Sequence, residues 1–377
     1  MDKRKICFVI PEYNYKTSTH FAYLYDFVEL LSREYDIFLV AEKGNGKVSG
    51  AIDYYIQKWR FLPFRIMENL FVLLWARYRG YSNFYVHYSF LSAFQASLIS
   101  RLSGGITWYW NCGLPWLYKR NWFRQGFEKL VYRLISFLVT GTDNLGSEYA
   151  RHYKIPISKI ITLPNWIDVQ KIKNQKSKIK IDEFKNQLKI PPNAKVLLFV
   201  HRLSKRKGAD HLPEILNQLK NDNVFLLVVG DGPEREALNV KLKTYNLQDK
   251  VKFVGWVPQS EVANYFILAD IFLLPSEEEG FPHVLLEAMA AGTLFVASGV
   301  GGIPEIIPSA EKNFLVSPRN TKEFADRIRE LLELDESKRN NLKLSLLEWV
   351  SRFDIKNAAN RFRKIIEDPL DAVAGEG

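Results

Sequence analysis

The sequence predicts an α/β fold built as two doubly wound domains, and three observations carry that expectation. The chain has 377 residues, more than one ordinary core accommodates and suited to two domains of roughly 150 to 200 residues. Short apolar runs rich in β-branched residues alternate with helical patterns from end to end, the mark of parallel strands joined by crossover helices. Those runs are almost continuously apolar, as strands covered on both faces are.

In the first half the expected strands are "ICFVI", "DIFLVA", "FYVH", "ITWYW", "FLVTG" and "IITLP". In the second they are "KVLLFV", "VFLLVVG", "KFVG", "IFLLP", "LFVAS" and "NFLVS". The hinge falls near Pro164-Asn165, so the first domain is expected over 1–165 and the second over 166–349. After the hinge, "KIKNQKSKIKIDEFKNQLKIPPNAK" reads as an exposed, partly helical approach closed by Pro191-Pro192. The amphipathic pattern "LEWVSRFDIKNAANRFRKIIED" has no strand after it, so a helix over 350–370 is expected to pack back on the first domain, with 371–377 as a disordered tail. No repeat of ~20 to 50 residues implies a solenoid.

Composition narrows the setting. Cys7 and Cys112 match no metal or redox spacing, so buried reduced thiols are expected. The start "MDKRKICFVIPEY" is basic, but Pro11 and Glu12 break its apolar run too soon for a secretory signal. No stretch reaches the ~18 to 20 apolar residues of a membrane span. A cytoplasmic protein is expected, with a peripheral place on the inner face of the cell membrane compatible with it.

The formal charge is +10, and its distribution says more than its size. Residues 54–142 hold eleven Lys or Arg against Glu68 and Glu128 alone, interleaved with 24 of the chain's 52 aromatics. Such a mixture suits an anionic membrane surface, where Trp and Phe sit at headgroup level. The plainer reading, aromatic core beneath a solvated basic face, competes with it. No RNA- or DNA-binding signature accompanies the charge, so no nucleic-acid partner is expected.

Two motifs carry the chemistry. In "EEEGFPHVLLEAMAAG", Pro282 suits a first helical position, Gly280 permits close backbone approach, and the amides of His283, Val284 and Leu285 make an anion site backed by the helix dipole. Glu287, one and a half turns in, can accept hydrogen bonds from vicinal hydroxyls such as a ribose. In "FVHRLSKRKGAD", Arg202 and Lys207 follow a strand directly and suit a diphosphate, one as a planar fork and the other as a point charge.

Together these motifs resemble the retaining family-4 glycosyltransferases of the GT-B fold, in which two Rossmann-like domains face each other across a cleft. The resemblance continues, in order, through "VVGDGPERE", "VKFVGWVPQSEVANYFILAD" and "GVGGIPEII". It implies that Arg202 and Lys207 hold the donor diphosphate, that Glu287 binds the ribose, and that Val257 and Pro258 bracket the base. It also implies that Glu279 faces the donor sugar beside the Gly280-Phe281-Pro282 backbone. His201 stands where many relatives have glycine.

The first domain matches more weakly. Its "PEYNYKTSTHFAYLYDF" lacks the usual Gly-Gly turn, although Thr17, Ser18 and Thr19 can cap a helix and meet the acceptor. His87, ending "FYVH", aligns with the family's histidine near the transferred sugar and is a catalytic candidate with Glu279, Arg202 and Lys207. Asn111 and Gly113, in "WYWNCGLPW", are expected on the acceptor side.

The implied activity is retaining transfer of a hexose from a UDP-sugar or GDP-sugar to a hydroxyl of a lipid-linked or membrane-associated glycan. Neither cofactor nor metal is expected, and no Asp-X-Asp occurs in the sequence. A GT-B sugar-nucleotide epimerase or a non-catalytic sugar-nucleotide-binding protein is the alternative. A nicotinamide dehydrogenase fits poorly, because Arg235 stands where the dinucleotide fingerprint after Gly230 and Gly232 needs a third glycine.

Overall fold

The computed structural model describes residues 3–14, 21–48 and 52–374. It divides into two units, Met1–Pro164 with Lys356–Gly377, and Asn165–Ile355.

The strands of unit 1 are β1 (Lys5–Ile10), β2 (Tyr13–Asn14), β3 (Asp36–Ala41), β4 (Gly44–Asn45), β5 (Asp53–Ile56), β6 (Asn83–His87), β7 (Ile106–Trp110), β8 (Phe137–Thr140) and β9 (Ile160–Thr162). Its helices begin with α1 (Tyr23–Ser32), α2 (Leu62–Tyr78), α3 (Phe90–Ser103), α4 (Trp122–Leu134) and α5 (Asp143–Tyr153). Seven strands form one parallel sheet in the order β5-β3-β1-β6-β7-β8-β9, and β2 pairs separately with β4.

β5 is absent from the sequence expectation. As an edge strand it is only half covered, and "DYYI" lacks the continuous apolar signal.

Unit 2 opens with α6 (Val169–Lys176) and α7 (Ile181–Gln187), then runs β10 (Lys195–Val200), α8 (Leu212–Gln218), β11 (Val224–Val229), α9 (Arg235–Thr244), β12 (Val251–Gly255) and α10 (Gln259–Leu268). It continues with β13 (Ile271–Leu274), α11 (His283–Ala291), β14 (Leu294–Ser298), α12 (Ile303–Ile306), β15 (Leu315–Val316), α13 (Thr321–Glu333) and α14 (Glu336–Val350). The sheet is parallel in the order β12-β11-β10-β13-β14-β15. Of the expected "NFLVS", only Leu315–Val316 pairs, because Asn313 and Phe314 belong to a 3₁₀ turn.

The C-terminal helix differs from the single element expected over 350–370. The backbone at Phe353 and Ile355 exchanges hydrogen bonds with Ile167 at 2.9 and 3.0 Å, which breaks the helix after α14. A new helix, α15 (Ile355–Glu367), follows and carries Phe362 into unit 1 against Tyr85, Phe27 and Phe8. Nor does the chain fray at 371. Pro369 opens α16 (Pro369–Ala374), since proline fits a first helical turn but not the interior of α15. Cys7 and Cys112 are buried and free.

Candidate functional site

Within unit 2 the strand order reverses between β10 and β13, and open parallel sheets bind ligands beyond the carboxyl ends of such a pair. β10 delivers His201, Arg202 and a tight basic turn at Lys205–Lys207. Gly208 ends that turn with φ +66°, and a Cβ there would stand 1.8 Å from the Pro275 carbonyl oxygen. Glycine is therefore what lets the basic turn press against the chain leaving β13.

That chain carries three consecutive carboxylates, each with its own cation. Glu277 accepts from Arg319 at 2.8 and 2.7 Å and lies 3.3 Å from His211. The Arg319 hydrogen bonds hold its carboxyl below the ordinary range. Glu278 lies 3.0 Å from Arg206, and Glu279 lies 2.8 Å from the Lys207 Nζ. Glu279 is buried, also accepts from Ser276 Oγ at 2.8 Å, and stands 3.7 Å from His201 Nε2. His201 Nδ1 accepts the Arg202 amide at 2.9 Å, so a neutral ring keeps its proton on Nε2, toward Glu279. Arg202 itself is exposed.

From Glu279 the chain turns through Gly280, Phe281 and Pro282 into α11. Asn165 Nδ2 donates to the Phe281 carbonyl at 2.8 Å, and the buried Phe281 ring meets Phe353 edge-on at 5.8 Å. Pro282 is the cap residue rather than the first helical residue, and no side chain caps the helix start. The Leu285 amide bonds to the Pro282 carbonyl at 3.2 Å, which removes it from the anion site expected over His283, Val284 and Leu285.

One turn further, Glu287 is buried and accepts from Gln259 Nε2 at 2.5 Å. Burial pushes its carboxyl up to about 7, and the Gln259 hydrogen bond opposes part of that rise. Gln259 follows Val257 and Pro258 directly, so the segment expected beside the base reaches the residue expected on the ribose. Gly230, the first glycine of the rejected dinucleotide fingerprint, has a packing duty instead. Its φ is +118°, and a Cβ would lie 2.1 Å from the His201 carbonyl oxygen.

In unit 1, His87 and Asn111 face inward. His87 is fully buried and stacked on Trp110 at 4.7 Å and Phe8 at 5.4 Å. Among the described residues neither ring nitrogen has a hydrogen-bond partner, and burial lowers the imidazole to about 3. As placed, the ring is neutral at ordinary pH. Asn111 is also buried. Its Nδ2 donates to Tyr109 and Tyr132 hydroxyls at 3.2 and 3.3 Å, and its Oδ1 accepts the Gly113 amide at 2.8 Å. The Gly113 carbonyl accepts from Tyr149 at 2.8 Å. These two residues brace their own loop. Thr17, Ser18 and Thr19 lie outside the described residues, and α1 begins at Tyr23 with Ala22 at its cap.

Sequence reading misses Ser276 and Gln259. A serine before an acidic run and a glutamine after Val-Pro carry no spacing signal, and only the folded contacts give them roles. Among the described residues no group of three His, Cys, Asp or Glu side chains is placed to hold a metal ion.

Two parallel, doubly wound α/β units with this motif order define the GT-B class. Residues 180–344, in the second unit, match the family described as "Glycosyl transferases group 1". Among relatives, N-acetyl-alpha-D-glucosaminyl L-malate synthase of Bacillus anthracis is 30% identical over 216 residues, covering 57% of this chain and 55% of that protein. A component of the phosphatidylinositol N-acetylglucosaminyltransferase of Arabidopsis thaliana is 33% identical over 153 residues, covering 40% of this chain and 32% of that protein. The match thus spans about half of the first relative and a third of the second. Among solved structures, Anabaena Alr3699/HepE in complex with UDP-glucose superposes with a TM-score of 0.76 at 18% identity, covering 96% of this chain and 99% of that one. At that identity the likeness is one of fold.

Proposed function

We propose that this protein is a retaining glycosyltransferase that moves a hexose from a UDP-sugar or GDP-sugar to an acceptor hydroxyl, without a metal. The observation that carries the reading is the convergence, at the strand-order reversal of unit 2, of Lys207 on Glu279 beside a helix start without a side-chain cap, with Glu287 buried one turn below. Lys207 and Arg202 receive the diphosphate with the first amides of α11. Glu287 takes the ribose hydroxyls, Val257 and Pro258 flank the base, and Glu279 with the Gly280 backbone faces the sugar. The nucleotide sugar in the HepE complex supports that class of donor.

The barrier lies in breaking the bond between the anomeric carbon and the phosphate oxygen. The electron pair stays on the diphosphate, and cations aimed at it lower the barrier, one preorganised donor contributing ~3 to 4 kcal/mol. The acceptor oxygen attacks from the face that the diphosphate leaves, and its proton passes to the departing phosphate oxygen. Glu279 is engaged by Lys207 and Ser276, which argues against a covalent glycosyl intermediate on that carboxylate.

The acceptor is a lipid-linked or membrane-associated glycan, as in envelope polysaccharide or glycolipid assembly, met on the cytoplasmic side at an anionic membrane surface. The basic, aromatic stretch 54–142 supports this, and the phosphatidylinositol-directed relative is in keeping with it. NMR of the product's anomeric centre tests the reaction: retained configuration is expected, and an inverted linkage refutes it.

A second reading, a sugar-nucleotide epimerase or a non-catalytic sugar-nucleotide-binding protein, is favoured by the inward engagement of His87, Asn111 and Gly113. Release of free nucleotide only when a lipid-linked acceptor is supplied decides for transfer.

A further inference from the structure

Helix α2 turns a broad apolar face outward as well as inward. At Leu62–Tyr78 every exposed residue is apolar, and Phe64, Met67, Phe71, Leu74 and Tyr78 form an outward stripe at helical spacing. Met67 is 68% and Phe71 70% exposed. The charged side chains of the helix are instead turned to internal partners. Arg65 pairs with Glu42 at 2.9 Å, Arg77 donates to Ser103 at 3.0 Å, and Glu68 accepts from the Tyr55 hydroxyl and the Lys58 and Trp59 amides. On the inward face, buried Asn69 joins Gln57, Ser92 and Gln95 in a hydrogen-bonded cluster. Apolar Val72, Leu73 and Ala76 are buried beside that cluster, so the outward stripe is a second apolar face, which a water-facing helix does not carry.

The neighbours extend the surface. α3 packs between α2 and α4, with Phe94 against Phe127 at 5.3 Å. At the start of α4, Trp122 is 83% and Phe123 71% exposed. Each crossover helix runs back from the carboxyl edge of a parallel sheet, so Trp59, Phe61, Trp122 and Phe123 all stand toward the edge where such sheets bind ligands. Exposed cations border them: Lys58 and Arg60 before α2, Lys119 before α4, and Lys129 and Arg133 along it. The carboxylates of the region do not offset these charges outward, since Glu128 is buried against Arg120 and Glu68 is occupied as above.

We infer that the α2–α3–α4 face of unit 1 docks on an anionic lipid bilayer, with the α2 stripe and the start of α4 in the headgroup layer. Charge complementarity selects that occupant. An apolar stripe bordered by cations meets acyl chains and anionic headgroups together, whereas a second copy would set cations against cations. The inference rests on the reading that the acceptor is carried by a membrane, and it places the lipid surface at the ligand-binding edge of unit 1. Docking there delivers a lipid-linked acceptor without pulling it far from its bilayer.

The test is flotation of the full chain with phosphatidylcholine vesicles with and without phosphatidylglycerol, at low and high salt. Wild type is expected to float with the anionic vesicles and to detach as salt rises. Met67→Asp with Phe71→Asp, and separately Trp122→Ala with Phe123→Ala, are expected to weaken partition about tenfold or more. Lys58→Glu with Arg60→Glu is expected to weaken it mainly at low salt. Thermal stabilisation by UDP or GDP is expected to stay unchanged in all these variants, which reads the donor site separately. Flotation without nucleotide stabilisation would sink the donor reading and leave the docking face standing. Absence of flotation, equal partition of wild type and variants, or a vesicle-free dimer that Phe71→Asp dissociates would overturn the inference.

Discussion

Glu287 shows what burial does to a single carboxylate. A carboxylate buried on α11 with one amide donor is costly while ionised, and its rise to about 7 from an ordinary 4.5 expresses that cost. A carboxyl whose folded value is raised binds its proton more tightly in the native state. The folded state is therefore favoured below the ordinary value and loses stability as pH climbs through the raised one, by on the order of 3 kcal/mol in full. Glu287→Gln keeps the shape and removes the charge. Urea denaturation is expected to find this variant more stable than wild type at pH 8 and nearly equal at pH 4.5; the same gap at both pH values would contradict the burial argument. Glu287 is legible in the sequence because a charge among Val, Leu, Ala and Met needs a polar partner. Its resting partner Gln259 is not legible, since polar residues at a helix start are common. His201 is legible only as a departure from the family pattern, and its orientation toward Glu279 depends on a backbone amide that no residue type reveals.

At the scale of elements, the site depends on two chain segments leaving neighbouring parallel strands and pressing together. Gly208 permits that contact. Gly208→Ala places a Cβ 1.8 Å from the Pro275 oxygen in a left-handed backbone conformation, and the expected loss is about 3 kcal/mol or more in equilibrium unfolding. Wild-type stability would show that the basic turn is not held as described. Most strands are legible because burial on both faces writes an uninterrupted apolar run, as in "KVLLFV" and "VFLLVVG". Where the burial is partial the signal fails. β5 is covered on one side, and β15 shortens to two paired residues. The break before α15 is set by hydrogen bonds to Ile167, almost 190 residues away, and helical periodicity carries no trace of a partner so distant.

Across the whole molecule, chain order and spatial grouping part company at the C-terminus, because α15 belongs to the unit with which the chain began. Phe362 fastens it, fully buried among Phe8, Phe27, Tyr35 and Tyr85. Phe362→Ala is expected to cost about 3 to 5 kcal/mol, read as a lowered denaturation midpoint for unit 1 with nucleotide-dependent stabilisation retained. An unchanged midpoint would show that the helix is not part of that core.

The proposed donor half of the molecule is the more legible one, since a diphosphate and a ribose would call for cations, glycines and carboxylates at fixed spacing. The proposed acceptor half would answer to a ligand whose chemistry the sequence does not specify, and His87 and Asn111 there are buried. The central claim is that Arg202 and Glu287 grip one nucleotide at opposite ends of its diphosphate and ribose. Calorimetric titration of wild type, Arg202→Ala and Glu287→Gln with UDP and with GDP tests it most directly, because an exposed arginine and an isosteric amide leave the fold intact. One nucleotide is expected to bind wild type, and each substitution is expected to weaken it at least about tenfold. Unaltered affinity in both variants, or binding of neither nucleotide to wild type, would contradict it.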